Sequence, residues 1–300
     1  MIEVRVPASS ANMGPGYDSF GVALTIYNTI RVSEIENGVF IKNISPSGYI
    51  PVDENNLIYR SIIRAFDEVG YKKRGLKISQ KSDIPMTRGL GSSSACIVGG
   101  LMAANLISGK KLTSQRIFEL ADEIEGHPDN AGPALFGGFC ISLRDEKKLF
   151  HQSIRLRNDI KFVAMVPTYY LVTRKSRGLI PDKIPIKDAS FNISCASLIA
   201  LSLASGDYRN LSLYCKDRLH QPYRKTVVND LDEVVNASIS NGALAAYLSG
   251  SGPTVVAMID SDNENFLENM NKYFINNDIK RECILLECDN VGAIAKWINV

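Results

Sequence analysis

Apolar and charged residues alternate over Ile2–Val6 and again over part of Thr29–Ile35, the period of a strand with one face buried. The period then lengthens. From Asn56 to Val69 the apolar positions Leu57, Ile58, Ile62, Ile63, Phe66 and Val69 share one side of a predicted helix that stops at Gly70. The stripe Ile117, Leu120, Ala121 and Ile124 predicts another amphipathic helix from Thr113 to Glu125, ending at Gly126. Between them, Ala95–Val98 and Leu101–Leu106 are small and apolar, which suits a buried helix. Gly137 and Gly138 then lead into a strand over Phe139–Leu143.

From Leu143 to about Asp159 the chain is charged and irregular, which places a domain boundary there and divides it into residues 1–155 and 156–300. Beyond it the pattern predicts a strand over Phe162–Val166 and two or three helices between Ala189 and Ile239. Strands follow near Ala243–Leu248 and Thr254–Ile259, then a helix around Asn265–Phe274 and a strand near Glu282–Glu287. Helices packed on one face of an antiparallel sheet make an α+β fold class.

Composition narrows the field of functions. The chain has 300 residues, 45% hydrophobic and 22% charged, with 34 basic against 32 acidic side chains, so nothing marks nucleic acid or an anionic membrane as the main partner. No apolar stretch reads as long enough to span a bilayer and the N-terminus lacks a signal-peptide layout, so a cytoplasmic location is expected. Six scattered cysteines without a Cys-x-x-Cys pair, and only three histidines, predict buried reduced thiols rather than zinc or disulfides.

The chemistry begins at Pro85-Met86-Thr87-Arg88-Gly89-Leu90-Gly91-Ser92-Ser93-Ser94-Ala95. Its glycines let the backbone approach an anion, its serines add hydroxyl donors, and the helix after it would aim free N–H groups at the loop. This is neither the dinucleotide-binding glycine pattern nor the lysine-bearing phosphate loop. Other turn-rich polar segments accompany it: Pro7–Asp18, which offers Asn12 and Asp18; Glu125-Gly126-His127-Pro128-Asp129-Asn130; Arg177 in Ser176–Pro181; Arg224 in Gln221–Arg224; and Leu248–Thr254.

Taken in order, these segments resemble the GHMP kinase superfamily, and among its branches they look most like the homoserine kinases. Four motifs in the family's order, with the two arginine segments, span nearly the whole chain. The resemblance implies an N-terminal domain like ribosomal protein S5 domain 2 with a left-handed β-α-β crossover, and a ferredoxin-like C-terminal domain. It implies ATP and Mg2+ as cofactors, L-homoserine phosphorylated on its side-chain hydroxyl in threonine biosynthesis, and a homodimer. The alternatives are a kinase of this superfamily for another small alcohol, such as mevalonate or shikimate, and a silent binding protein of the same fold.

The resemblance also distributes roles. Residues 85–95 would wrap the nucleotide phosphates, and Asn56 would lie near the base unless it is only a helix cap. Ser93, or Ser94, and Glu119 would hold Mg2+, Glu119 being chosen because it lies eleven residues before Asn130. Asp18 and Asn12 would take the substrate's amino end, and Arg177 and Arg224 its carboxylate. His127 would donate to the substrate. Asn130 would orient the attacking hydroxyl with no strong protein base, Asp129 being the alternative base.

Overall fold

The computed structural model describes residues 1–45, 50–146, 148–171 and 176–299. The alternating N-terminal segment forms β1 (Ile2–Ala11), which runs antiparallel to the long β2 (Phe20–Ile35). Then come β3 (Val39–Asn43), α1 (Leu57–Val69) and β4 (Gly75–Ser82), with β3 and β4 paired in parallel across the helix. Two more helices follow, α2 (Ser92–Ile107) and α3 (Ser114–Glu125). After a short α4 (Ala131–Phe136) the chain forms the hairpin β5 (Phe139–Asp145) and β6 (Lys148–Ile154). The second half supplies β7 (Ile160–Pro167), β8 (Ala245–Leu248), β9 (Val255–Asp260) and β10 (Arg281–Leu286), an antiparallel sheet in the order β10-β7-β9-β8.

Three sequence expectations change. Pro7–Ala11, expected in a loop, extend β1; Ala8, Ser9, Ser10 and Ala11 are all buried, so both strand faces are covered and the alternation that marks a half-buried strand is missing. The segment after Leu143, expected to be irregular, contains β6, whose charged and polar residues suit an edge position beside β5. Finally, β11 (Ile294–Trp297) pairs with β1, so the end of the chain returns to the first sheet instead of staying with residues 156–300.

The first sheet runs β11-β1-β2-β4-β3, with β5 paired to the start of β2 and β6 paired to β5. Against it lies α2, on which Ser93 alone is exposed. One hydrophobic cluster continues from this sheet through α2 into the second half, joining Val4, Ile30 and Val98 to Phe162, Ile199 and Tyr247. A separate cluster, including Met165, Val234 and Phe266, fills the other side of the second sheet. The helix Ile186–Ser205 was not anticipated as an apolar stretch because serines interrupt it. It is the one helix among the described residues long and apolar enough to cross a membrane, with mean hydropathy 1.2, and Ile186, Ile193 and Leu201 on it are exposed.

Contact between α1 and α2 requires a residue without a side chain. A Cβ at Gly100 would lie 2.6 Å from the Ile58 carbonyl oxygen and 2.9 Å from Ser61 Cβ. Backbone cannot retreat as a flexible side chain can, so Gly100→Ala is expected to destabilise the fold by about 1–3 kcal/mol. Denaturant unfolding measures this, and an unchanged midpoint would mean the helices separate freely.

Candidate active site

The loop before α2 turns left-handed at Thr87, Gly89 and Gly91. At Gly91, φ is 68° and a Cβ would stand 2.0 Å from Ser9 Oγ, so only glycine fits there. The chain then enters α2, where Ala95 N already bonds Gly91 O. The N–H groups of Ser92, Ser93 and Ser94 precede the first intrahelical bond and face the cleft mouth, with the positive end of the helix dipole behind them.

This loop is fastened to the second half of the protein. Ser249 Oγ donates to Gly89 O at 2.6 Å, and Thr254 N donates to Arg88 O. The Arg88 guanidinium is tied to backbone, donating to Pro167 O, Thr168 O and Met86 O. The cavity wall includes residues 86–94, Asn12, Asn56, His127, Asp129, Asn130, Arg177 and Arg224. Pro85 and Ala95, the ends of the expected phosphate loop, are not part of it. Ala95 is already inside the helix, fully buried in the core.

Asn56 acts as the N-cap of α1, accepting from the N–H groups of Ile58 and Tyr59, while its amide donates to Pro51 O at 2.8 Å. It is thus both cap and wall, beside the apolar Ile50, Leu57 and Ile58.

Glu119 is elsewhere. It bonds Gln115 and Arg116 in a surface ion-pair network with Glu68, Arg64 and Glu123, outside the cavity, which corrects its assignment as a metal ligand. The carboxylate at the cavity is Glu125, the last residue of α3. Six positions along the helix turn the two side chains about 120° apart, so they lie on different faces. Helical phase therefore would have found Glu125 where linear spacing did not. Burial raises the Glu125 pKa above its usual value against the opposing pull of His127, Ser93 and Ser94. Among the described residues, its Oε2 and Ser94 Oγ are buried with no partner at full hydrogen-bond distance, so Ser94 acts on the carboxyl only from farther off. Those two oxygens suit a hard cation, and among the described residues no group of three His, Cys, Asp or Glu could hold one alone.

A polar chain crosses the middle of the cavity. Ser9 Oγ donates to Asn130 Oδ1 at 2.9 Å, Asn130 Nδ2 donates to Asp129 Oδ1 at 3.2 Å, and His127 Nδ1 meets the same oxygen at 2.7 Å. Burial opposes both charges of the His127–Asp129 pair, yet their mutual attraction wins: the His127 pKa is raised and the Asp129 pKa lowered. The pair therefore stays ionised above the depressed Asp129 pKa and loses its stabilising contribution as pH rises through the elevated His127 pKa.

At the far end Asn12 and Asp18 bracket a turn, both with positive φ, at 68° and 54°. Asn12 Oδ1 accepts the Asp18 N–H and Asn12 Nδ2 donates to Gly250 O, which holds this uncommon backbone in place. Asp18 is not on the cavity wall; it reaches the site through Arg177, which pairs with it at 2.6 and 3.0 Å. Arg224 is 1% exposed, donates to Gly250 O, and has no ion-pair partner among the described residues.

Replacing Asp129 by asparagine removes the attraction that opposes burial. In Asp129→Asn the His127 pKa, followed by NMR titration, is expected to fall below that of the unaltered protein; an equal or higher value would mean Asp129 does not hold the imidazolium.

The GHMP kinases N terminal domain family matches residues 56–138, and the GHMP kinases C terminal family matches residues 199–276. Homoserine kinase of Clostridium beijerinckii is 45% identical over 98% of this chain and 98% of its own length. That of Caldicellulosiruptor bescii is 44% identical over 98% and 96%. The crystal structure of homoserine kinase from Cytophaga hutchinsonii superposes with TM-score 0.87 at 27% identity, covering 98% of this chain and 97% of that one. Mevalonate kinase of Methanococcus jannaschii, at 17% identity and TM-score 0.71 over 97% and 98% of the two chains, shares the fold. With a cleft that joins the start of α2 to Arg177 and the buried Arg224, and with relatives matched from end to end, the chain belongs to the GHMP kinases, in their homoserine kinase family.

Proposed function

We propose that this protein transfers the γ-phosphoryl group of ATP to the side-chain hydroxyl of L-homoserine, forming O-phospho-L-homoserine for threonine biosynthesis in the cytoplasm. One observation carries the reading: the cleft that opens at the N-terminus of α2 ends at Arg224, a buried cation without an ion-pair partner among the described residues. Such a cation favours an anionic ligand, because an uncompensated buried charge is costly. A nucleotide at one end and a small carboxylate-bearing alcohol at the other fit this cleft.

The N–H groups at the start of α2 take the phosphates, and the apolar Ile50, Leu57 and Ile58 suit the flat face of a base. Glu125 with Ser93 or Ser94 would hold the Mg2+ that accompanies ATP, and that ion supplies neutralisation of the charge on the transferring group. At the other end Asp18 accepts the substrate ammonium, while Arg177 and Arg224 receive its carboxylate. The Asp18–Arg177 pair then trades mutual contacts for contacts with the two ends of one zwitterion.

Between the ends, Asn130 orients the attacking hydroxyl. Its amide is held by Ser9 and Asp129, and Oδ1 keeps a lone pair for the hydroxyl proton. Asp129 is a poor base: His127 and Asn130 both bond its Oδ1, and its pKa is lowered. His127, with Nδ1 engaged by Asp129, has Nε2 left to donate to the substrate. Transfer needs no strong base, since a loose transition state asks mainly for alignment and charge stabilisation; the hydroxyl proton leaves to water or to an oxygen of the transferring phosphate as ADP departs.

A coupled ADP-release assay with L-homoserine, mevalonate, shikimate and L-serine is expected to give strong turnover with homoserine alone; preference for another alcohol would overturn the substrate assignment. Loss of all turnover in Asp129→Asn, with both substrates still bound, would overturn the base-free transfer. Glu125→Gln is expected to lower kcat by about 10²-fold, as for loss of one main electrostatic group. Glu119→Gln should stay within about twofold, as expected for surface ion pairs of little energetic weight. The reverse order in steady-state rates would restore Glu119 to the metal.

A further inference from the structure

Burial lowers the pKa of Arg224, so its charge is held at a cost. Among the described residues both of its side-chain hydrogen bonds leave from Nη1, to Gly250 O at 2.8 Å and to His220 Nδ1 at 3.1 Å, while Nε is buried without a partner. Nη1 is the nitrogen on the Cδ side of the guanidinium. Fastening it leaves the opposite edge, Nε with Nη2, as the one available to the two oxygens of a carboxylate.

His220 can accept at Nδ1 only if its proton is on Nε2, and Nε2 lies 2.8 Å from Gly14 O, a suitable acceptor for that proton. The two contacts thus define one tautomer. The ring is fully buried, and Tyr17 stacks on it at 5.4 Å between centroids. Of its charged neighbours, Asp217 favours protonation, with Oδ2 3.6 Å from Nε2, and Arg224 opposes it. Asp217 is itself engaged by the N–H groups of Leu219, His220 and Gln221. Burial is the largest influence, and it holds the imidazole neutral.

We propose that His220 is a positioning residue for substrate binding: its neutral Nε2–H imidazole, anchored on Gly14 O, fixes Arg224 so that the free Nε–Nη2 edge faces the substrate carboxylate. The inference rests on the homoserine reading above and adds a residue that the sequence motifs did not single out. It also links the Asn12–Asp18 turn to Arg224, since Gly14 lies within that turn and Gly250 O accepts from both Asn12 and Arg224.

Two substitutions separate the contacts. The amide of His220→Gln reaches toward Gly14 O but leaves Arg224 without its acceptor, whereas Oδ1 of His220→Asn stands near the place of Nδ1. Kinetics would compare L-homoserine with L-homoserinol, in which a hydroxymethyl group replaces the carboxylate, used as substrate or competitive inhibitor. In His220→Gln the KM for homoserine is expected to rise about tenfold, the scale of a hydrogen bond to a charged group, while kcat and the KM for ATP stay within about twofold. Homoserinol affinity should be unchanged, and His220→Asn should recover homoserine KM to within about threefold of the unaltered protein.

An equal loss of homoserine and homoserinol affinity would overturn the inference, as would a fall in kcat and both affinities together with a lowered Tm, or His220→Asn behaving no better than His220→Gln. If the unaltered protein turns over homoserine and His220→Gln leaves its KM unchanged, this inference alone fails. Absence of homoserine turnover in the unaltered protein overturns the substrate reading and this inference with it.

Discussion

The burial of α2 constrains everything around the cleft. A sixteen-residue helix packed against the first sheet, α1 and α3, with a single exposed residue, has little freedom to tilt or fray. Its unpaired N–H groups at Ser92–Ser94 must still meet a polar partner. The fold answers by ending the helix at a cleft, so the same burial that stabilises the first half leaves an anion cradle at one end. Gly91 makes the sharp entry possible, and Ser9 on β1 sits so close that no side chain could replace it.

The two halves share this arrangement instead of meeting across a simple linker. Ser10 on β1 bonds Ser249 at 2.8 Å, Ser249 bonds Gly89 O, and Arg88 grips the end of β7. The Ser10 and Ser249 side chains are buried, where an unmet polar group costs about 1–3 kcal/mol, so the loop before α2 cannot shift without disturbing the second sheet. The return of β11 to pair with β1 closes the chain on the same side. Arg177 and Arg224 from the second half thereby line the same cavity as the start of α2, with Asp18 of the first half paired to Arg177.

Much of this was legible in the sequence, for reasons that differ by element. Helices α1 and α3 carried clear 3.6-residue stripes, and the second-half strands were short apolar runs, so their positions follow from pattern alone. Pro7–Ala11 did not, because small residues buried on both faces leave no alternation, and β6 and β11 are edge strands with weak patterns. At the site, the glycine and serine loops announced their chemistry through composition. Glu125 and His220 were hidden, since each depends on which way a side chain points: one is a matter of helical phase, the other of a tautomer fixed by two partners far apart in sequence.

The charge pattern at the amino-acid end links structure to selectivity. Arg177 and Asp18 satisfy one another without substrate, each about one-third exposed, whereas Arg224 is buried and half satisfied. A ligand with only a carboxylate would pair with Arg224 yet gain nothing by separating Arg177 from Asp18, because the freed aspartate would lose its partner. A ligand with only an ammonium would leave Arg224 uncompensated. On the proposed reading, an α-amino acid supplies both charges at a fixed short spacing and so would meet Arg224 while giving new partners to both members of the exposed pair. Discrimination of this kind comes from the groups that a wrong ligand leaves unpaired, which is why a buried arginine and a neighbouring ion pair select more sharply than two exposed arginines would.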